Sequence, residues 1–149
     1  MIRTAISLAA LAITMLFMSP AFAQMRVHVS STAEDTVGNR LTFAIREGIR
    51  RSAAMTLVDR EQDAFILVRI VTLDPDRNDT ASSTRTIYSV VWTTKTLHDT
   101  PVEMYLTSSV GLCGARRVAQ CADGLVADTD REASEVRGWL QNFLDRTKR

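Results

Sequence analysis

The chain has no surplus of charge, no second long apolar run, no cysteine before position 113 and only two histidines, and each shortage excludes a class of function. Of its 18 lysines and arginines only Arg3 precedes Gln24, and no acidic residue does, so from Gln24 onward the charges balance to zero. A nucleic-acid binder displaces counterions with excess positive charge, so no nucleic-acid partner is expected. Beyond residue 23 no apolar stretch approaches the roughly 20 residues of a bilayer-spanning helix, so no membrane span is expected there. His28 and His98 stand outside any nucleophile or metal-ligand motif, and His98-Asp99-Thr100-Pro101 reads as a turn. Ser108-Ser109 lacks the Gly-x-Ser-x-Gly elbow of a hydrolase nucleophile. Asp128-Thr129-Asp130 lies in a helical run, where acids ordinarily face solvent. No catalytic residue, metal ligand or cofactor is therefore expected.

What is present begins with a leader. Arg3 supplies a positive start, Ala5 to Met18 an apolar run broken only by Ser7 and Thr14, and Ser19-Pro20-Ala21-Phe22-Ala23 a small-residue cleavage site. Residues 1–23 thus read as a cleaved secretory signal peptide, and residues 24–149 as a single globular domain in the periplasm or outside the cell. No cysteine stands beside the cleavage site to carry a lipoprotein anchor.

In an oxidising compartment Cys113 and Cys121 are expected to form one disulfide, a structural staple rather than a redox pair, since the spacing is not Cys-x-x-Cys. Around them, Gly111-Leu112-Cys113-Gly114-Ala115-Arg116-Arg117 places flexible backbone and two cations at the start of a helix. Gly114, Arg116 and Arg117 are accordingly candidate anion-binding residues. Asp74-Pro75-Asp76-Arg77-Asn78 has oxygen ligands at alternate positions, as in a calcium loop. It fails as one, because Asp79 replaces the turn glycine and Arg85 the terminal glutamate. Asn78-Asp79-Thr80 is an acceptor sequon of low specificity.

Arg26-Val27-His28-Val29 alternates as a strand, and Thr32-Ala33-Glu34-Asp35 has the spacing of a capping box. A helix follows over 36–53, with Val37, Leu41, Ala44, Ile45 and Gly48 on one face and Phe43 off the stripe. Met55 to Val58 is a short strand. Ala64 to Val71 reads as a central strand covered on both faces, in which Arg69 needs an exit or a partner. Thr86 to Thr93 and Val102 to Thr107 complete an antiparallel meander. Gly111 and Gly114 interrupt the pattern before a final helix that is either continuous or broken near Asp128 to Glu132. Its Gly124 and Gly138 point to close backbone packing. The fold class is α+β: a largely antiparallel sheet of four to five strands with two helices packed on one face.

This β-α-β-β-β-β-α order behind a secretory leader resembles small bacterial envelope domains such as the amino-terminal domain of the translocation protein TolB. The resemblance implies an envelope protein partner. The leading expectation is a non-enzymatic binding or accessory module, with a small-anion or small-ligand carrier and a secreted hydrolase or hydrolase inhibitor as alternatives. Mass spectrometry of the exported protein should find Gln24 as its first residue; a retained Met1–Ala23 segment would refute the cleavage.

Overall fold

The computed structural model describes residues 24–76, 84–96 and 102–148. Outside the described residues lie the leader, the Asn78-Asp79-Thr80 sequon, Arg77 and Asn78 of the oxygen-rich stretch, and the His98-Asp99-Thr100-Pro101 turn. Strands β1 (Met25–Ala33), β2 (Met55–Leu57), β3 (Ile66–Leu73), β4 (Arg85–Lys95) and β5 (Glu103–Gly114) form one sheet in the order β2-β1-β3-β4-β5. Helix α1 (Thr36–Arg50) joins β1 to β2, a short 3-10 turn (Glu61–Asp63) precedes β3, and α2 (Val118–Thr147) follows β5.

The sheet is mixed rather than largely antiparallel. β1 runs parallel to both β2 and β3, while β3-β4 and β4-β5 are the antiparallel meander. The α1 crossover is the cause: a helix carries the chain back along the sheet, so β2 enters beside β1 in the same direction. β3 then takes the other side of β1. Alternation identifies strands but is silent on which strands become neighbours.

Alternate strand residues share one core with the apolar stripes of both helices. Val27, Val29, Ile66, Val68, Ile70, Val90 and Trp92 pack in a single cluster with Val37, Leu41, Ile45 and Ile49 of α1 and with Val118, Ala122, Leu125, Ala133 and Val136 of α2. The opposite parity behaves differently along its length. Leu67 is buried, but Val71 and Leu73 are 54% and 44% exposed, so the expected cover on both faces of β3 fails over its second half.

Buried polar groups cross-link these layers. The α1 N-cap is Asp35 and not a box begun at Thr32, which lies within β1. The Asp35 carboxylate accepts from the Gly38 backbone N–H at 2.6 Å and from the hydroxyls of Thr72 on β3 and Thr86 on β4 at 3.0 and 2.9 Å. All three side chains are buried. On the other helix the Trp92 indole N–H donates to Thr129 Oγ1 at 2.9 Å, and that hydroxyl donates to the Leu125 carbonyl at 2.7 Å. α2 is therefore continuous through Asp128 to Glu132, where Thr129, Glu132 and Ala133 are core residues and Asp128 pairs with Arg131 one turn on.

The glycines redistribute the expected close contacts. Gly124 and Gly138 face open space, so neither serves close packing. Tight approach occurs instead at Gly38, where an added methyl would overlap Thr72 Oγ1, and at Gly48, where it would press on Val126 of α2. No described residue has left-handed backbone, so these glycines supply space and not an unusual dihedral.

Asp35→Ala should therefore cost about 2–4 kcal/mol in urea unfolding, from the lost cap and the stranded Thr72 and Thr86 hydroxyls. Gly38→Ala should also destabilise, whereas Gly124→Ala should stabilise by roughly 0.5–1 kcal/mol on helix propensity. A stable Gly38→Ala protein would contradict the packing around Asp35.

Candidate interaction surface

Arg69 resolves its position in the middle of β3 by reaching across β4. Its guanidinium forms a two-pronged pair with Glu103 of β5, at 2.7 and 2.9 Å, and a third contact with Glu61 at 3.1 Å. Thr93 of β4 lies beneath, accepting from Arg69 at 3.2 Å and donating to Glu103 at 3.2 Å. The Arg69 hydrogen bond holds the Glu103 carboxyl below its ordinary range, and Glu103 reciprocally raises the guanidinium. This network roofs one half of the sheet face that carries Leu67.

The other half is apolar and open. The β3-β4-β5 register sets Leu73 beside Ile87 and Ile87 beside Leu112, and in the next row Val71 beside Ser89 and Ser89 beside Val110. Val110 is 73% exposed and Leu112 58%, the outermost members of a cluster with Val71, Leu73 and Ile87. Tyr105 stands on the same face, its hydroxyl 2.9 Å from that of Ser108. Apolar side chains grouped on a water-facing sheet in this way make this face a candidate contact surface.

β5 borders this cluster as an edge strand of 12 residues; the opposite edge, β2, has three. The strand runs seven residues beyond its expected end at Thr107. Gly111 continues it rather than interrupting it, because the Tyr88 ring of β4 lies where a Gly111 side chain would stand. From Met104 to Ala115 the chain has neither charge nor proline, two common devices that blunt exposed edges. Its single irregularity is at Leu106, where Trp92 pairs with Thr107 but Thr93 pairs with Tyr105.

Both ends of this edge are pinned. Glu103 holds the first end through Arg69. At the second, Cys113 is wholly buried and stands at disulfide distance from Cys121, with Cα atoms 6.2 Å apart. Such a loop closure is worth about 2–3 kcal/mol and ties the end of β5 to the first turns of α2.

The candidate anion-binding residues are only partly assembled. Gly114 is the last residue of β5 and, with Arg117, lines a cavity of about 610 Å³ beside Arg85, Tyr88, Ser109 and Asp128. Arg116 is exposed and does not line it. Arg117 occupies the N-cap position of α2 and donates to Gln120 Oε1 at 2.9 Å. Arg85 is engaged by Asp76 through two contacts of 2.9 Å, which lower the carboxyl and raise the guanidinium. Asp76, read as a failed calcium-loop ligand, is thus an ion-pair partner. His28 lies on β1 within 3.1 Å of the Val58 carbonyl, far in the sheet order from β5.

At the Glu103 end a smaller apolar groove of about 280 Å³ opens between Met104 and Leu106 of β5 and Val136, Trp139 and Leu140 of α2. Trp139 and Phe143 continue along the helix as exposed stacked rings, 5.9 Å between centroids. Phe43, off the stripe of α1, is 65% exposed. The β5 surface is not legible as a site in the sequence; its signal is the alternation of Val110 and Leu112, masked by Gly111 between them and Gly114 two residues on.

No protein-family model matches the chain, and no curated protein does. Among the described residues no helix is long and apolar enough to cross a membrane, and no cluster of His, Cys, Asp or Glu could hold a metal ion.

Because Glu103 titrates below its usual 4.5 in the folded protein, its ionised form stabilises the fold above that value. The contribution is lost as pH falls through the depressed value. The stability gap between the protein and Glu103→Gln should thus be present at neutral pH and close in acid. A gap that persists unchanged in acid unfolding curves would exclude the ion pair as its source.

Proposed function

We propose that the chain is a non-catalytic binding module that works outside the cytoplasm and contacts an envelope protein partner through β5 and the apolar rows beside it. In this reading both helices cover the sheet face that carries Val27, Val68 and Trp92, and the opposite face is left for the partner. One observation carries the proposal: a long edge strand that from Met104 onward has neither charge nor proline, exposing Val110 and Leu112 beside Ile87 of β4. Extended segments add to such edges through backbone hydrogen bonds, and neighbouring apolar side chains supply the selectivity.

Three further observations support it. The edge is held at both ends, by Arg69–Glu103 and by the cysteine pair, so little order has to be gained on binding. The displaced titrations of Arg69, Glu103, Asp76 and Arg85 are accounted for by two ion pairs rather than by groups converging on a reacting centre. A cysteine pair suits an oxidising compartment, and the leader and the resemblance to TolB-type envelope domains point to the same location.

Affinity capture from envelope extracts tests the proposal. The wild-type protein should retain a specific partner that the doubly substituted Val110→Lys, Leu112→Lys protein loses, with circular dichroism unchanged. Equal capture by both would remove β5 from the binding surface.

A further inference from the structure

We infer that the apolar groove between the start of β5 and the 132–140 stretch of α2 is a binding site for a small organic ammonium, held by the carboxylates of Glu132 and Glu135 with its apolar body against Met104, Leu106 and Val136. The inference is independent of the role proposed for the β5 edge, since none of the groove's lining residues belongs to the Leu73-Ile87-Leu112 row or the row beside it. Glu132, Glu135, Val136, Trp139 and Leu140 recur at the spacing of one helix face, so α2 turns two acids and three apolar side chains toward the same opening.

Glu132 supplies the reason for a cation. It is 7% exposed, yet the one contact of its carboxylate among the described residues is Arg131 Nη2 at 3.5 Å, while Asp128 holds Arg131 more closely at 2.9 Å. A contact of that length is at the limit of a hydrogen bond. A carboxylate this far from water ordinarily has closer donors, as Asp35 has. The other cations at the groove are engaged elsewhere: Lys95 borders it but donates to the Glu61 carbonyl, and Arg26 stands over the Phe65 ring, 5.1 Å from its centroid. Glu135 is exposed and has no partner among the described residues.

The rest of the lining selects the kind of cation. A hydrated inorganic ion gains nothing from Met104, Leu106, Val136 and Leu140, whereas an ammonium on an alkyl or aryl body buries that body against them. Trp139, 55% exposed and lining the groove, adds the aromatic surface that attracts cations best. A volume of about 280 Å³ stands at the lower end for ligand pockets, which suits a small molecule rather than a polypeptide segment.

Calorimetric titration of protein purified after export from the full-length chain tests the site. Phenethylammonium is the probe, and phenethyl alcohol and hydrocinnamate are the controls, because they keep the apolar body and remove or reverse the charge. The ammonium should bind about tenfold or more tightly than either control, the ratio that one charge-assisted hydrogen bond supports. Glu132→Gln should remove about that factor. Glu135→Lys, at an exposed position that tolerates substitution, should abolish binding, and Phe43→Ser on α1 should leave it unchanged. Circular dichroism melting confirms that each variant is folded; should Glu132→Gln fail to fold, Glu135→Lys decides the question. No heat from the ammonium, equal or tighter binding of either control, or binding indifferent to either glutamate substitution in a folded protein would overturn the site.

Discussion

A carboxylate taken out of water has to be compensated by hydrogen bonds, and Asp35 is compensated from three directions at once. One donor is the first turn of α1 and the other two are hydroxyls on β3 and β4. Because these donors belong to separate elements, the cap of a helix also fixes the depth and orientation at which that helix meets the sheet. Gly38 lets Thr72 approach the cap, and the apolar stripe from Val37 to Ile49 follows from that anchoring point. The second helix is tied more simply, by Trp92 to Thr129 and by the cysteine pair at its start.

The sheet face that carries Arg69 and Leu112 is divided. Arg69 on the middle strand spans to Glu103 on the edge, covering half of the far face with charge that is internally neutralised. The other half, from Leu73 to Leu112, carries apolar side chains that are 37% to 73% exposed. Under the proposed binding role the apolar half is the one that would receive a partner, since desolvating an ion pair is costly and covering valine and leucine is favourable. β5 is also held at both ends, by Arg69–Glu103 and by Cys113–Cys121; in the proposed role a rigid edge would lose less entropy when another strand joined it.

Several local features were legible because they depend on neighbours in sequence. The stripe of α1, the strand character of Ile66 to Val71 and of Thr86 to Thr93, the need of Arg69 for a partner and the likelihood that nearby cysteines bond all follow from spacing and residue type. Glycine was less legible. Gly124 and Gly138, inside a helix, suggested close contacts and have none, while Gly111 suggested a break and instead makes room for Tyr88. The meaning of a missing side chain lies in what stands opposite it, and sequence spacing carries no such information.

The sequence by itself determined the elements and their order, the neutral balance of charge, the candidate cysteine staple and the apolar faces that had to be buried, because each reflects periodicity or composition along a local stretch of chain. Tertiary structure alone decided the parallel placement of β1 between β2 and β3, the convergence of Thr72 and Thr86 on Asp35, and the exposure of Val71, Leu73, Val110 and Leu112. Each of these depends on which distant segments become neighbours. Apolar alternation says that a side chain prefers cover; only the arrangement of the other elements determines whether it receives any.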